Sequence, residues 1–294
     1  MELHCPENIK IHFAACETMN LYQAVKNNIN YSLYTCFPFV ERMCFEKAFS
    51  PIMPLRWMKN PKKDIPQYII SNSKHTIQDS GLFTLMFGSR ANKDNKNLIY
   101  KWYDKMIEFT LENGAGATCV ELDAQKIIGA EETWFFRERM RKDLPNNRII
   151  NVFHIEDGQK GLDKLIEYSD FIAIGVPELR VLKKQYQTPQ LARYIKSKKK
   201  DIDIHLLGCT EKAILTQCKF CTSSDSTSYI SGIRYGFLEN KHIKNIDTKK
   251  VQELVGLDEW NMVREYNNER NTNFLCLSVY LHKKKYEQWC ESQD

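Results

Sequence analysis

Three aspartates, Asp79, Asp123 and Asp225, stand where short apolar stretches give way to polar and small residues. Their surroundings read Gln78-Asp79-Ser80-Gly81-Leu82-Phe83, Glu121-Leu122-Asp123 and Ser223-Ser224-Asp225-Ser226-Thr227-Ser228. Carboxylates gathered at one place suit glycosyl chemistry. One can attack an anomeric carbon to form a covalent glycosyl–enzyme, while another moves protons or holds the leaving group. Like charges that are close and partly desolvated raise at least one pKa toward the working pH. Two glycines, Gly175 in Ala173-Ile174-Gly175-Val176-Pro177-Glu178 and Gly208 in Leu207-Gly208-Cys209-Thr210-Glu211, let a flat ligand approach the backbone. Singly, each aspartate is equally well explained as a helix cap or a turn residue. The spacing supports a carboxylate site without naming its substrate.

The elements that must position these residues are eight short runs rich in β-branched and aromatic residues: Ile9–Cys16, Tyr31–Cys36, Gln67–Ser71, Thr118–Leu122, Arg148–Phe153, Asp170–Gly175, Asp201–Leu207 and Phe220–Ser224. Such runs predict strands buried on both faces. Between them, Asn97–Asn113, Glu131–Lys142, Gly161–Tyr168 and Gln190–Lys198 have helical spacing. In the first of these, Ile99, Tyr103, Met106, Phe109 and Leu111 fall mostly on one face. Strands alternating with helices predict parallel βαβ units, and eight strands predict an α/β fold, a (β/α)8 TIM barrel. The barrel is placed at residues 1–239 and a small C-terminal appendage of helix and strand at 240–294. In such a barrel the three aspartates converge on the mouth formed by the C-terminal strand ends.

The chain has 294 residues, 43% hydrophobic and 27% charged, which excludes disordered, collagen-like and coiled-coil classes. Lys and Arg exceed Asp and Glu by 42 − 37 = 5, a balance that permits a polyanionic partner without requiring one. Ten cysteines at irregular spacings, with no basic segment leading into an apolar one at the N-terminus, lead us to expect reduced thiols and a cytoplasmic location. No window approaches the roughly 18 uninterrupted apolar residues of a membrane helix, so no membrane partner is expected. Lys59–Lys63, Arg137–Lys142 and Lys196–Lys200 are basic segments suited either to phosphate contacts or to solvated helix faces. His154 is placed at the mouth, touching base or sugar, and His205 in the core. Trp134, Phe135 and Phe136 are expected to pack a helix onto the barrel.

At these residues the chain resembles the tRNA-guanine transglycosylase superfamily. Asp79-Ser80-Gly81-Leu82-Phe83 is similar to that family's DSGGF segment, with Leu82 in place of a glycine. The likeness runs through Val120-Glu121-Leu122-Asp123, Ala173-Ile174-Gly175 and His205-Leu206-Leu207-Gly208 to the Asp225 segment, covering roughly residues 65 to 235 in the family's order. The resemblance implies exchange of guanine for a 7-deazaguanine base by double displacement at the sugar. By position it implies that Asp225 is the nucleophile, that Asp79 transfers protons near the exchanged base and that Asp123 recognises the base edge. Gly175 matches the glycine whose backbone contacts the base, Phe83 the aromatic at the pocket, and Ser80 and Gly208 further binding positions.

The family's tRNA enzymes carry a zinc site, Cys-x-Cys-x2-Cys and a distant His, beyond the nucleophile. Here only Cys276 and Cys290 follow Asp225, and Cys218-x2-Cys221 precedes it, in or beside a predicted strand where residues three apart face opposite ways. Buried thiols are expected there, and no metal or other cofactor. The chain is therefore more similar to the compact 7-deazaguanine DNA transglycosylases of bacteria and phages. That implies DNA and a free base such as 7-cyano-7-deazaguanine as partners, a helper protein or homodimer as an option, and the host cytoplasm as location for a phage enzyme. The target guanine must then leave the stack. The competing readings are a tRNA-guanine transglycosylase, a non-catalytic nucleic-acid-binding barrel and a small-molecule glycosidase; the three aspartates speak against the second and the block order against the last.

Overall fold

The computed structural model describes residues 9–14, 30–33, 70, 73–82, 96–229, 237–238, 241–242, 278 and 281–282. The structure is mixed α/β. Its strands are β1 (Lys10–Ala14), β2 (Asn30–Leu33), β3 (His75–Gln78), β4 (Thr118–Val120), β5 (Ile149–Phe153), β6 (Phe171–Gly175), β7 (Asp203–Leu207) and β8 (Ser223–Ser226). They pair in parallel and in chain order, and β8 returns to β1 to close a barrel. The closing ladder sets His12 opposite Asp225. Helices follow β3 to β7: α1 (Lys96–Asn113), α2 (Gln125–Ile128), α3 (Ala130–Asp143), α4 (Gly158–Tyr168), α5 (Val176–Val181), α6 (Thr188–Lys198) and α7 (Lys212–Gln217).

Two strands differ from the pattern reading. Gln67–Ser71 was expected as the third strand, yet Ile70 is helical and β3 is His75–Gln78. An apolar run does not distinguish a strand from a buried helix segment. The alternation of the polar HTIQ decides instead: His75 reaches another barrel side chain and Ile77 joins the inner cluster. The eighth strand also lies further along, at Ser223–Ser226, so Asp225 sits inside the ladder rather than beyond it. A short hairpin of β9 (Phe237–Leu238) and β10 (Lys241–His242) straddles position 239/240, where the barrel was expected to end. Beyond it, Ser278 is buried and its hydroxyl donates to the carbonyl of Tyr229, whose own hydroxyl donates to the carbonyl of Ala14. Apart from residues 281–282, the remainder of 240–294 lies outside the described residues.

Side chains alternate across each strand, so the barrel has two cores. Ile11 and Phe13 of β1, Ile172 and Ile174 of β6, and Ile204 and Leu206 of β7 join the large cluster under the helices. Ile77, Val120, Ile150, Val152, Phe171 and Ala173 form the smaller inner cluster. Helix α1 buries Ile99, Trp102, Tyr103 and Met106 at helical spacing. Leu111, expected on that face, is 62% exposed because it falls off the stripe. Helix α3 buries Phe136 against Tyr100 and Tyr103, whereas Phe135, also expected to pack, is exposed.

The strongest polar tie between helix and sheet is Glu121 with Arg137, both 2% exposed. The guanidinium donates from Nε to both carboxylate oxygens at 3.0 and 2.8 Å, and from Nη2 to Oε1 and to the Val152 carbonyl, each at 2.8 Å. Glu121 also accepts from the Val152 N–H and the Asn151 amide, so β4, β5 and α3 lock through one carboxylate. Of the two readings of Arg137–Lys142, phosphate contact or solvated helix face, neither describes Arg137. Arg137 is sequestered, Arg139 pairs with Asp104 and Asp143, and Arg141 lies over the Tyr168 ring. No helix among the described residues is long and apolar enough to cross a membrane.

Removing one partner of a buried ion pair strands the other charge, at a cost of about 3–5 kcal/mol. Arg137→Met should therefore lower the free energy of urea unfolding by about that much. Glu121→Gln combined with Arg137→Met should recover part of the loss, because no buried charge then remains unpaired; a double variant no better than the single would contradict this account.

Candidate active site

Parallel closure opens the ends of β3, β4, β5, β6, β7 and β8 on one mouth. Burial raises the Asp79 carboxyl to about 7, and charge repulsion from Asp225 and Asp123 adds to it, so the three expected aspartates do share one space. Phe83, the expected pocket aromatic, lies outside the described residues, as does Lys59–Lys63.

Asp225 is 2% exposed. Its Oδ1 accepts the Gly208 N–H at 2.7 Å and lies 3.2 Å from His205 Nε2. His205 Nδ1 is 2.8 Å from the Ser223 hydroxyl. When Ser223 donates to Nδ1, the neutral ring carries its proton on Nε2 and donates to Asp225. His205, expected as a core residue, is fully buried but is also a ligand of the carboxylate. Gly208 is demanded on two grounds. Its φ is +64°, and a Cβ there would stand 2.6 Å from Pro177 Cγ. Gly175 differs: a Cβ would come no closer than 3.7 Å to Glu178, an ordinary contact. The fold itself thus accepts a side chain at 175, which would occupy space at the end of β6.

The Asp79 segment is held from both sides. Asp79 Oδ1 accepts the Gly81 N–H at 2.8 Å, and the carbonyl of buried Ser80 accepts the Trp102 indole N–H at 2.7 Å. Leu82, where the resembled segment has glycine, is fully buried in the large core and anchors the end of this turn.

Asp123 is part of a charge-alternating chain across β4, β5 and β6. His154 Nε2 lies 2.8 Å from Asp123 Oδ1, its Nδ1 lies 3.6 Å from Glu178 Oε2, and Glu178 pairs with Lys126 at 2.8 Å. The imidazole meets the two carboxylates as ionic contacts without aligned hydrogen bonds. Burial alone would lower the His154 pKa, but Asp123 and Glu178 on either side outweigh it and push it up to about 10. Burial likewise acts to raise Glu178, and His154 with Lys126 carries it below the ordinary value. A buried imidazolium therefore sits at the mouth, where the sequence led us to place His154 without its charge.

Two further histidines escaped sequence reading. His12 Nε2 is 2.8 Å from His75 Nδ1, and His75 Nε2 is 2.9 Å from the Thr118 hydroxyl. The rings of His12 and His205 are 6.2 Å apart. β1 and β3 are separated by β2, and β1 and β7 by β8, so these contacts cross the barrel interior. Burial first, then the neighbouring imidazoles, holds His12 well below its ordinary value. Burial and nearby cationic groups carry His75 down to about 4. A neutral imidazole plug therefore underlies the acidic mouth. His12 alternates with apolar residues in β1, a pattern that signals an inward polar residue but not its partners.

Cys218 and Cys221 are buried free thiols, as expected, and they occupy the turn between α7 and β8, beside the strand. The Cys221 N–H donates to the Cys218 carbonyl at 2.8 Å. No protein-family model matches the chain, and no curated protein matches it at a significant level.

The His154 pKa is raised on folding, so its contribution to stability is complete below about 6.5 and disappears as pH rises through about 10. The melting temperature should accordingly fall between pH 7 and 10, and the fall should be shallower in His154→Gln. Parallel curves for the two proteins would contradict the charged assignment. Gly208→Ala should cost about 1–3 kcal/mol in urea unfolding from the left-handed backbone, with the Pro177 clash adding to it; an unchanged midpoint would show that the turn relaxes freely.

Proposed function

We propose that this protein is a base-exchanging transglycosylase that replaces guanine in DNA with a 7-deazaguanine base, and that its fold is a (β/α)8 TIM barrel. The observation that carries the reading is the setting of Asp225 at the barrel mouth, where its Oδ1 accepts the Gly208 N–H and meets His205 Nε2. An acid placed this way, beside a second carboxyl titrating near 7, is suited to nucleophilic substitution coupled to proton transfer.

In the proposed reaction, the Asp225 carboxylate bonds to C1′ as the C1′–N9 bond of guanine breaks and the electron pair leaves with the base. Asp79, protonated in part at neutral pH, gives its proton to the departing guanine. The free 7-deazaguanine then binds, Asp79 takes the proton from its N9, and that nitrogen displaces Asp225 from C1′. Atoms and charge are balanced over the two halves, and no redox partner is needed. Asp123 and the His154 imidazolium offer the base edge an acceptor and a cationic donor together, while Gly175 leaves the end of β6 clear for a flat ring. The target nucleotide must be turned out of the stack to reach a carboxylate this buried.

Incubation with radiolabelled guanine or 7-cyano-7-deazaguanine and either duplex DNA or total tRNA tests the reading. Label is expected in DNA and should be lost in Asp225→Ala, which keeps the wild-type melting profile. Label in tRNA alone would transfer the protein to RNA modification. Label in neither, or transfer that survives Asp225→Ala at the wild-type rate, would overturn the proposal.

A further inference from the structure

The loop joining α5 to α6 lies at the mouth end of the barrel, since α5 begins where β6 ends, and the Tyr186 hydroxyl in this loop donates to Glu211 beyond β7 at 2.7 Å. Helix α5 closes in a Schellman turn: the Lys183 N–H bonds to the Arg180 carbonyl at 2.9 Å and the Lys184 N–H to the Leu179 carbonyl at 2.7 Å. The residue that must take the left-handed conformation in such a turn is usually glycine. Here it is Lys183, with φ +57°, and among the described residues no other non-glycine residue has positive φ. The backbone thus carries a strain that glycine would remove.

The strained turn presents an unusual surface. Val181 is 80% exposed and Leu182 47% exposed, side by side, and Lys183 and Lys184 next to them are exposed and make no ion pair with any described residue. A cation near a helix C-terminus is favourable, but Lys184 supplies one without strain, so the helix end does not account for Lys183. Beside this turn lies a mouth rich in carboxylates: Asp79, Asp123, Glu178 and Asp225. A polyanion approaching such a mouth is repelled unless the rim supplies positive charge.

Resting on the base-exchange reading above, we propose that the rim turn Val181–Lys184 is a nucleic-acid wedge for duplex DNA. Val181 and Leu182 press into the stack where the extruded guanine leaves a gap, and Lys183 and Lys184 hold the flanking phosphates. Apolar side chains inserted at a base step offset part of the cost of unstacking. Each lysine–phosphate contact neutralises backbone charge that the acidic mouth cannot.

Two variants separate this role from a structural one. Lys183→Gly relieves the left-handed strain, so its melting temperature should match or exceed the wild type, while its affinity for a fluorescent 30-base-pair duplex should fall and the slope of log K against log salt should become shallower by about 0.9 for each lost phosphate contact. Val181→Ser combined with Leu182→Ser should cut labelled-base transfer into duplex DNA by about tenfold but leave transfer into single-stranded DNA within about twofold, because a single strand has no stack to open. Wild-type affinity and salt slope in Lys183→Gly, or equal losses on duplex and single strand in the serine pair, would overturn the wedge. A wild-type protein that binds duplex but transfers no label would defeat the base-exchange reading alone, and the wedge would then stand or fall on the Lys183→Gly binding measurement. No duplex binding by the wild type, or impairment confined to tRNA, would overturn the DNA wedge itself.

Discussion

Every strand of the barrel runs the same way, and that single constraint places the rest. Parallel neighbours require the chain to cross back outside the sheet between strands, so the C-terminal ends of all the strands open on one side. Residues separated by more than a hundred positions, such as Asp79 and Asp225, become neighbours without any direct sequence relation. The same closure sets His12 opposite Asp225 and brings Gly208, at the end of β7, within hydrogen-bond reach of the neighbouring strand's carboxylate.

Collecting acids at one mouth is electrostatically costly, and three devices offset the cost. Asp225 meets a backbone N–H and an imidazole nitrogen at its Oδ1. Asp123 and Glu178 share the imidazolium of His154, with Lys126 completing the chain. Asp79 has the Gly81 N–H, and burial leaves its carboxyl near 7. Asp79 is thereby carried up while Glu178 is carried down, so two acids of one mouth differ in protonation. Beneath them the plug of His12 and His75 stays uncharged, so it satisfies polar groups without adding to the field. Outside the barrel, the Glu121–Arg137 lock keeps β4 and β5 fixed relative to α3, and with them Asp123 and His154 just beyond those strands.

The alternation of strand-like and helix-like stretches was readable because burial on both faces demands runs of β-branched residues, and β5, β6 and β7 appear within two residues of where that pattern places them. It misled at β3, whose four residues HTIQ are polar in composition yet half inward-facing, while the apolar QYIIS nearby reaches helix at Ile70. Asp79, Asp123, Asp225, Gly175 and Gly208 were legible as candidates because Asp and Gly at strand ends stand out against apolar runs. The partners of those residues were not. His205 looks like any core histidine until its Nε2 is seen to reach Asp225, and Arg137 looks like part of a basic surface run until Glu121 claims it.

The sequence by itself determined the class of fold, the kinds of side chain at the strand ends and the shortage of cysteines beyond Asp225, because periodicity and composition are local properties of a chain. The tertiary structure alone decided that Gly208 and His205 meet Asp225 Oδ1, that His154 is charged while His12 and His75 are neutral, and that Lys183 is held in a left-handed turn beside an exposed apolar pair. These are properties of neighbours brought together by barrel closure. Protonation and hydrogen bonding follow the distance between groups in space, and separation along the chain carries almost none of that information.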